Sequence, residues 1–320
     1  MKRYLVFFAI VLAVSVMGIC QVPPGVGAAS FARIGVDARP LAMGGAFVAV
    51  SDGTPIPYYN PAGLVRAASP TLDGMYSEPF GHEFGIAFQN VNAVGSFRLG
   101  SQTDSRTLGV GLTWIGMQIK DILVWDEDDP TIVDSFTATS NLYLASLAFP
   151  ILEDWAVGVS AKLYRENILD GRGEGFGLDI AVLGSFWLGE LPIAVGVNSM
   201  DLGETKISWR QTAGEPDNYV PWVNKMGVST SFLDGMVLAA FDYDWAVGRP
   251  VREQILHIGA EYHPFDIISL RAGWKGDLEE GGAFGGGAGI QLLGKFVMDY
   301  AYVMGEALGG THYVSMQFSF

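Results

Sequence analysis

His312-Tyr-Val-Ser-Met-Gln-Phe-Ser-Phe320 alternates apolar residues (Val314, Met316, Phe318, Phe320) with polar ones (Ser315, Gln317, Ser319), and its apolar row runs out to an aromatic. A period of two is that of an extended strand whose two faces meet different surroundings. In the closing strand of an outer-membrane β-barrel one face meets lipid, the other the lumen, and the lipid-facing row reaches a terminal aromatic. Phe318 and Phe320 are read as an assembly signal, which implies outer-membrane lipid and the barrel-assembly machinery as partners. An edge strand of a soluble sandwich carries the same alternation, so the decision falls to the rest of the chain.

At the other end, Lys2 and Arg3 precede an apolar run from Tyr4 to about Ile19, followed by Gln21-Val-Pro-Pro24 and small residues. That order of charged, apolar and cleavage regions is a secretory signal. Residues 1–28 are read as a cleavable leader, with cleavage after Cys20, Ala28 or Ala29 left open. Ile19 stands where a lipobox needs a small residue, which weighs against lipidation of Cys20. Cys20 is the single cysteine. A mature chain cut at Ala28 or Ala29 has no disulfide and must be held by strand pairing and packing.

After the leader no run of about eighteen apolar residues remains, so nothing there spans a bilayer as a helix. Mean hydropathy is nevertheless +0.28, with 12% aromatics and 42 glycines among 320 residues. Apolar content dispersed over short alternating segments is what a barrel requires, because a sheet in lipid must pair every backbone group internally. The net charge of −15 argues against nucleic acid as a partner.

Alternation and turn residues place strands near 310–320, 295–306, 283–293, 266–276, 253–264, 236–247, 221–233, 191–200, 174–186, 155–168, 136–149 and 106–119, with two more between 69 and 101. The expected architecture is an all-β transmembrane antiparallel barrel of about fourteen strands over 69–320, both ends in the periplasm. Turns near 153, 188–192, 233–235, 264–266 and 293–295 are short, whereas 120–135 and 201–220 read as long polar loops.

Side-chain parity separates barrel from sandwich. Val237, Ala239, Phe241, Tyr243 and Trp245 share one face and Asp242 and Asp244 the other; Leu256, Ile258, Ala260 and Tyr262 oppose His257, Glu261 and His263. Leu270, Ala272 and Trp274 oppose Arg271 and Lys275, and Met298, Tyr300, Tyr302 and Met304 oppose Asp299. A lipid-facing Arg or Lys at mid-membrane costs about 2–4 kcal/mol, so the charged face is the lumen. Lys162, Asp242, Asp244, His257, Glu261, Arg271, Lys275 and Asp299 are therefore assigned to the lumen, as ion pairs that, with Lys225, hold a narrow interior together. Glycines such as Gly158, Gly227, Gly259, Gly273, Gly285 and Gly287 share that face. Trp114, Trp222, Trp245 and Trp274 cap the apolar rows as an interfacial girdle would.

Before the first strand lie Ala38-Arg39, Met43-Gly44-Gly45-Ala46, Val48-Ala49-Val50, Ser51-Asp52 and Tyr58-Tyr59-Asn60-Pro61-Ala62-Gly63-Leu64. Small residues, a glycine pair and an Asn-Pro break suit a compact plug, 29–68, better than a membrane strand. This stretch resembles the N-terminal region of the FadL-type outer-membrane transporter superfamily, with its PorV-type relatives of bacterial secretion systems. The resemblance implies a fourteen-stranded barrel plugged by an N-terminal hatch, with Met43, Gly44, Gly45, Asn60, Pro61, Ala62 and Gly63 as the hatch motif. It also implies a small hydrophobic ligand, fatty-acid-like or aromatic, that passes through the plug region or a gap in the wall. The alternative it leaves is a docking scaffold with periplasmic or secretion partners. Relative to the larger transporters this chain is shorter, and its loops are modest.

Other constellations point to no cofactor and no metal. Asp126-Glu-Asp-Asp129, with Asp121 and Asp134, lacks the order of a calcium loop, and Gly281–Gly289 is not followed by the Lys-Ser/Thr of a nucleotide loop. Of His82, His257, His263 and His312, His257 and His263 share the lumenal face, and no serine is uniquely placed against either by spacing, so the expectation is a protein that is not an enzyme.

Overall fold

The computed structural model describes residues 28–50, 56–67, 70–79, 81–101, 104–125, 132–211, 217–247, 254–277, 281–304 and 309–320. The leader, Cys20, Ser51-Asp52 and the Asp126–Asp129 run lie outside the described residues. Strands form where the apolar and polar residues alternate: β1 (Thr71–Ser77), β2 (Ile86–Ser101), β3 (Asp104–Trp125), β4 (Ile132–Leu152), β5 (Trp155–Ile168), β6 (Gly171–Leu188) and β7 (Leu191–Met200). Two short strands follow, β8 (Thr205–Arg210) and β9 (Asp217–Val220). The remainder are β10 (Trp222–Phe232), β11 (Val237–Val247), β12 (Gln254–Phe265), β13 (Ile268–Asp277), β14 (Gly281–Leu292), β15 (Phe296–Val303) and β16 (Thr311–Ser319). Leaving out β8 and β9, they make a closed 14-strand antiparallel barrel. Its seam pairs Thr71 with Ser319 through Ser77 with Tyr313, and the Phe320 N–H donates to the Pro70 carbonyl at 3.0 Å.

Two segments expected as loops are partly strand. In 120–135, β3 continues to Trp125 and β4 begins at Ile132. The register shifts between Ile119 and Ile122, and Asp121 has a φ of 57°. Such a bulge inserts a residue and reverses the parity, which hides the strand from a period-two reading. In 201–220, β8 continues along β6 beyond the end of β7, from Gly175 opposite Ile207 to Arg172 opposite Arg210. The positive φ of Asp201, Gly203 and Glu204 interrupts the ladder, and the Leu202 N–H bridges the break to the Leu178 carbonyl at 2.9 Å. The alternation of Thr205, Ile207 and Trp209, all buried, was the signal available there.

Facing follows the parity reading. On β12 the outward Ile258 is 50% exposed and the inward Glu261 1%. Asp242, Asp244, His257, Arg271 and Asp299 are likewise buried, while Phe241, Leu270, Met298 and Tyr300 are exposed. The outward pair Arg165 and Glu174, 3.3 Å apart, stands at the end of the β5–β6 hairpin, away from the apolar band.

Inside the barrel lies the N-terminal segment. Asp37 caps a single helical turn, Ala38–Ala42, by accepting from the Arg39 N–H at 3.2 Å. Asn60 caps a 3-10 turn, Pro61–Arg66, by accepting from the Ala62 N–H at 3.0 Å, with Pro61 at the first position, where no N–H is needed. The apolar side chains of the segment, including Phe31, Val36, Met43, Phe47, Tyr58 and Tyr59, form one cluster with Phe88, Ile115, Leu142, Leu144 and Tyr164 from the inner face of β2–β5. Each large side chain so buried stabilises the fold by roughly 1.5–3 kcal/mol. Close approach depends on missing side chains: a Cβ on Gly158 would strike the Pro61–Ala62 backbone, and one on Gly273 the Met43–Gly44 backbone.

Candidate functional site

The inner face of β10–β16 is polar, and the N-terminal segment is fastened to it by directional bonds. Asp242 turns one carboxylate oxygen, Oδ2, to the segment and accepts from the N–H groups of Phe47 at 2.6 Å and Val48 at 2.8 Å. The Ser229 hydroxyl donates to the Ala49 carbonyl at 2.9 Å. Arg39 reaches Glu261 through Nε at 2.8 Å and Nη2 at 2.7 Å, and the Ser315 hydroxyl donates to Asp37 at 2.7 Å. His257 Nδ1 lies 2.7 Å from the Gly44 carbonyl.

The local sequence explains these contacts. Gly44 and Gly45 have φ of 67° and 83°, a left-handed turn that glycine adopts without strain. A Cβ on Gly44 would lie 2.5 Å from the Trp274 carbonyl oxygen, and one on Gly45 2.9 Å from His257 Nδ1. The turn is therefore laid edge-on against β12 and β13. Asn60, besides capping its own turn, donates to the Val48 carbonyl at 2.8 Å, and Asn198 donates to the Tyr59 carbonyl at 3.0 Å. Tyr58 and Tyr59 donate to the carbonyls of Ala32 and Val36 at 2.8 and 3.0 Å. Burial pushes both phenols above their ordinary range, so they stay neutral donors.

Asp242→Asn should weaken the segment's hold by about 1 kcal/mol, since a charge-assisted acceptor becomes a neutral one. Equilibrium unfolding and amide exchange at Phe47 and Val48 would read this, the expected result being faster exchange there with the barrel still folded. Unchanged exchange would show that the carboxylate does not hold the segment.

The assigned lumenal charges are brought together in groups that spacing alone did not define. Lys225 pairs with Asp244, whose same oxygen is 3.1 Å from His257 Nε2. Arg271 joins Glu261 to Asp299, the second contact at 2.6 Å. Lys275 stands opposite His257 in register. Lys162 lies away from this group, between Asp179 at 2.9 Å and Asp201 at 2.8 Å, with the Tyr164 hydroxyl donating to Asp201. Asp179 and Asp201 were missed in the sequence, as was the part that Asp37, Arg39 and Ser315 take in holding the segment. Asp179 alternates on β6 with outward Leu178 and Ile180 and was legible; Asp201 is turned inward only by the bulge after β7.

Ser269, which spacing did not single out, is 3.1 Å from His263 Nδ1, and Glu261 is 2.9 Å from Nε2. A hydrolase triad has the serine on Nε2 and the acid on Nδ1; here the two are exchanged, and the acid also accepts from Arg39 and Arg271. Among the described residues no group of three or more His, Cys, Asp or Glu side chains could hold a metal. Gly281–Gly289 forms part of β14, with Gly285 against the Leu41 and Ala42 backbone.

Two cavities flank the segment. One of about 580 Å³ is bounded by Arg33, Tyr58, Tyr59, Lys225, His257 and Lys275, toward the end of the barrel opposite the short turns. The other, about 380 Å³, lies at the short-turn end among Arg66, Asp154, Ser185, Ser229 and His263. The sequence matches no family model and no curated protein. Among solved structures the chain is similar to the Ralstonia pickettii toluene transporter TbuX, at 14% identity and a TM-score of 0.56 over 89% of this chain and 98% of that one. It is also similar to the P. putida toluene transporter TodX, at 12% and 0.60 over 89% and 99%. For the monoaromatic hydrocarbon channel CymD the values are 15% and 0.57 over 90% and 98%. At these identities the likeness is one of fold.

Proposed function

We propose that this chain is an outer-membrane channel for passive uptake of small hydrophobic compounds, aromatic hydrocarbons foremost, in which residues 29–68 act as the plug. The observation that carries the reading is the position of the two cavities, which approach the N-terminal segment from opposite ends of one barrel. A compound entering one would meet the other only through or around that segment. Likeness of fold to toluene transporters and a monoaromatic channel over about nine-tenths of the chain supports the same reading. With the short turns in the periplasm, as in outer-membrane barrels, the larger cavity is the external one. The segment is held by hydrogen bonds, ion pairs and packing, each of which can be exchanged without breaking the wall.

Uptake of labelled toluene by whole cells tests this. Cells carrying the intact protein should take up toluene faster than cells lacking it, and deletion of 34–50 should change the rate while the barrel stays inserted. A bulky residue at Gly45 should act similarly, because its Cβ would crowd His257. Rates equal to the null strain for both the intact and the deleted forms would sink transport. Stoichiometric co-purifying proteins would then favour a docking scaffold.

A further inference from the structure

We propose that His257 is a proton-operated fastener of the Gly44–Gly45 turn, tightened when the external medium is acidic and loosened as it becomes alkaline. The regulatory meaning of this device rests on the uptake reading; the device itself rests on geometry. Both ring nitrogens face acceptors: Nδ1 the Gly44 carbonyl at 2.7 Å, and Nε2 the Asp244 carboxylate at 3.1 Å. A neutral imidazole has one N–H and one lone pair, so it donates to only one of these partners and sets a lone pair against the other. The imidazolium donates to both. When the single proton must be shared out, the carboxylate is the stronger acceptor, and the bond surrendered is the one to the segment.

Charged groups face His257 from every element packed against it. On its own sheet it faces Asp242 and Asp244 of β11, Lys225 of β10 beyond them, and Lys275 of β13; from the segment come Arg33 and Tyr58. Asp244 favours the imidazolium, whereas burial, Lys225 and Lys275 oppose it. Lys225 and His257 also draw on the same oxygen of Asp244. Protons reach the ring from outside, since His257 lines the larger cavity. The other bonds to this stretch, from Asp242 and Ser229, need no imidazole proton. His257 is therefore the place at which the grip on Gly44 and Gly45 depends on an imidazole proton.

The test uses the full chain in detergent and reads two quantities between about pH 5 and about pH 8, the range in which imidazole titrates. Nitrogen-15 spectra of labelled histidine, assigned by comparison with His257→Gln, follow the ring. Amide hydrogen exchange at Gly44, Gly45 and Ala46, corrected for the intrinsic pH dependence, follows the turn, read apart from Phe47 and Val48, whose N–H groups answer to the Asp242 carboxylate. Protection should fall about tenfold across the range, the weight of one such hydrogen bond, and in step with the His257 titration. In His257→Gln it should stay flat. The proposal is overturned if the ring titrates while protection holds, if the ring does not titrate, or if His257→Gln keeps the wild-type dependence. Should His257→Gln fail to fold, the wild-type ring titration and protection curves still decide the outcome by coinciding or not. Exchange that follows the ring in a protein that admits no toluene would leave the fastener standing and remove the uptake reading alone.

Discussion

Glu261→Ala will destabilise the folded barrel by about 3–5 kcal/mol, the cost of removing one partner from a buried ionic group. Glu261 is 1% exposed and accepts from Arg39, Arg271 and His263. Its loss leaves the Arg271 guanidinium with Asp299 as its remaining acid in this group and removes the carboxylate that Arg39 of the segment meets on β12. Denaturant unfolding of the refolded protein, followed by tryptophan fluorescence and gel mobility, measures the change. Glu261→Gln should fall between the two, keeping shape and some hydrogen bonding. A Glu261→Ala protein within about 1 kcal/mol of the parent would mean that the group is not closed in the folded protein, since breaking a buried pair costs several times that.

Ile258→Arg will destabilise by about 2–4 kcal/mol if the side chain lies near mid-bilayer. Ile258 belongs to the outward row in which Phe241 and Trp274 are its register partners. Leu270→Arg should behave alike. The control is the inner face, where Lys275→Gln should leave insertion intact, since its neighbours there are polar. Unfolding in lipid vesicles distinguishes the two faces; equal tolerance of charge on both would mean that no lipid band covers β11–β13.

Much of the barrel was legible because lipid enforces parity. Phe241 and Tyr243 against Asp242 and Asp244 admit one arrangement in a membrane wall. What failed were the places where the backbone itself changes parity: Asp121 within β3, and Asp201 through Glu204 between β7 and β8. The lumenal charges were assigned to the inner face, but their partners depend on strand order and stagger. Lys162 finds Asp201 across 39 residues of sequence. Asp242, expected in an ion pair, instead serves two backbone N–H groups of the segment, which no charge pattern encodes. The glycine pair at 44 and 45 signalled close packing; that the surface it meets is β12 and β13 depends on how the segment folds.

The segment is held by interactions of two kinds, by apolar burial, much of it against β2–β5, and by bonded polar groups, several of them on β11–β13. Apolar burial weakens on cooling, while buried ionic contacts are little screened by dissolved salt. One attachment therefore yields to cold and the other resists salt. Cooling should loosen the packing at β2–β5 before the bonds from Asp242 and Glu261, whatever the ionic strength.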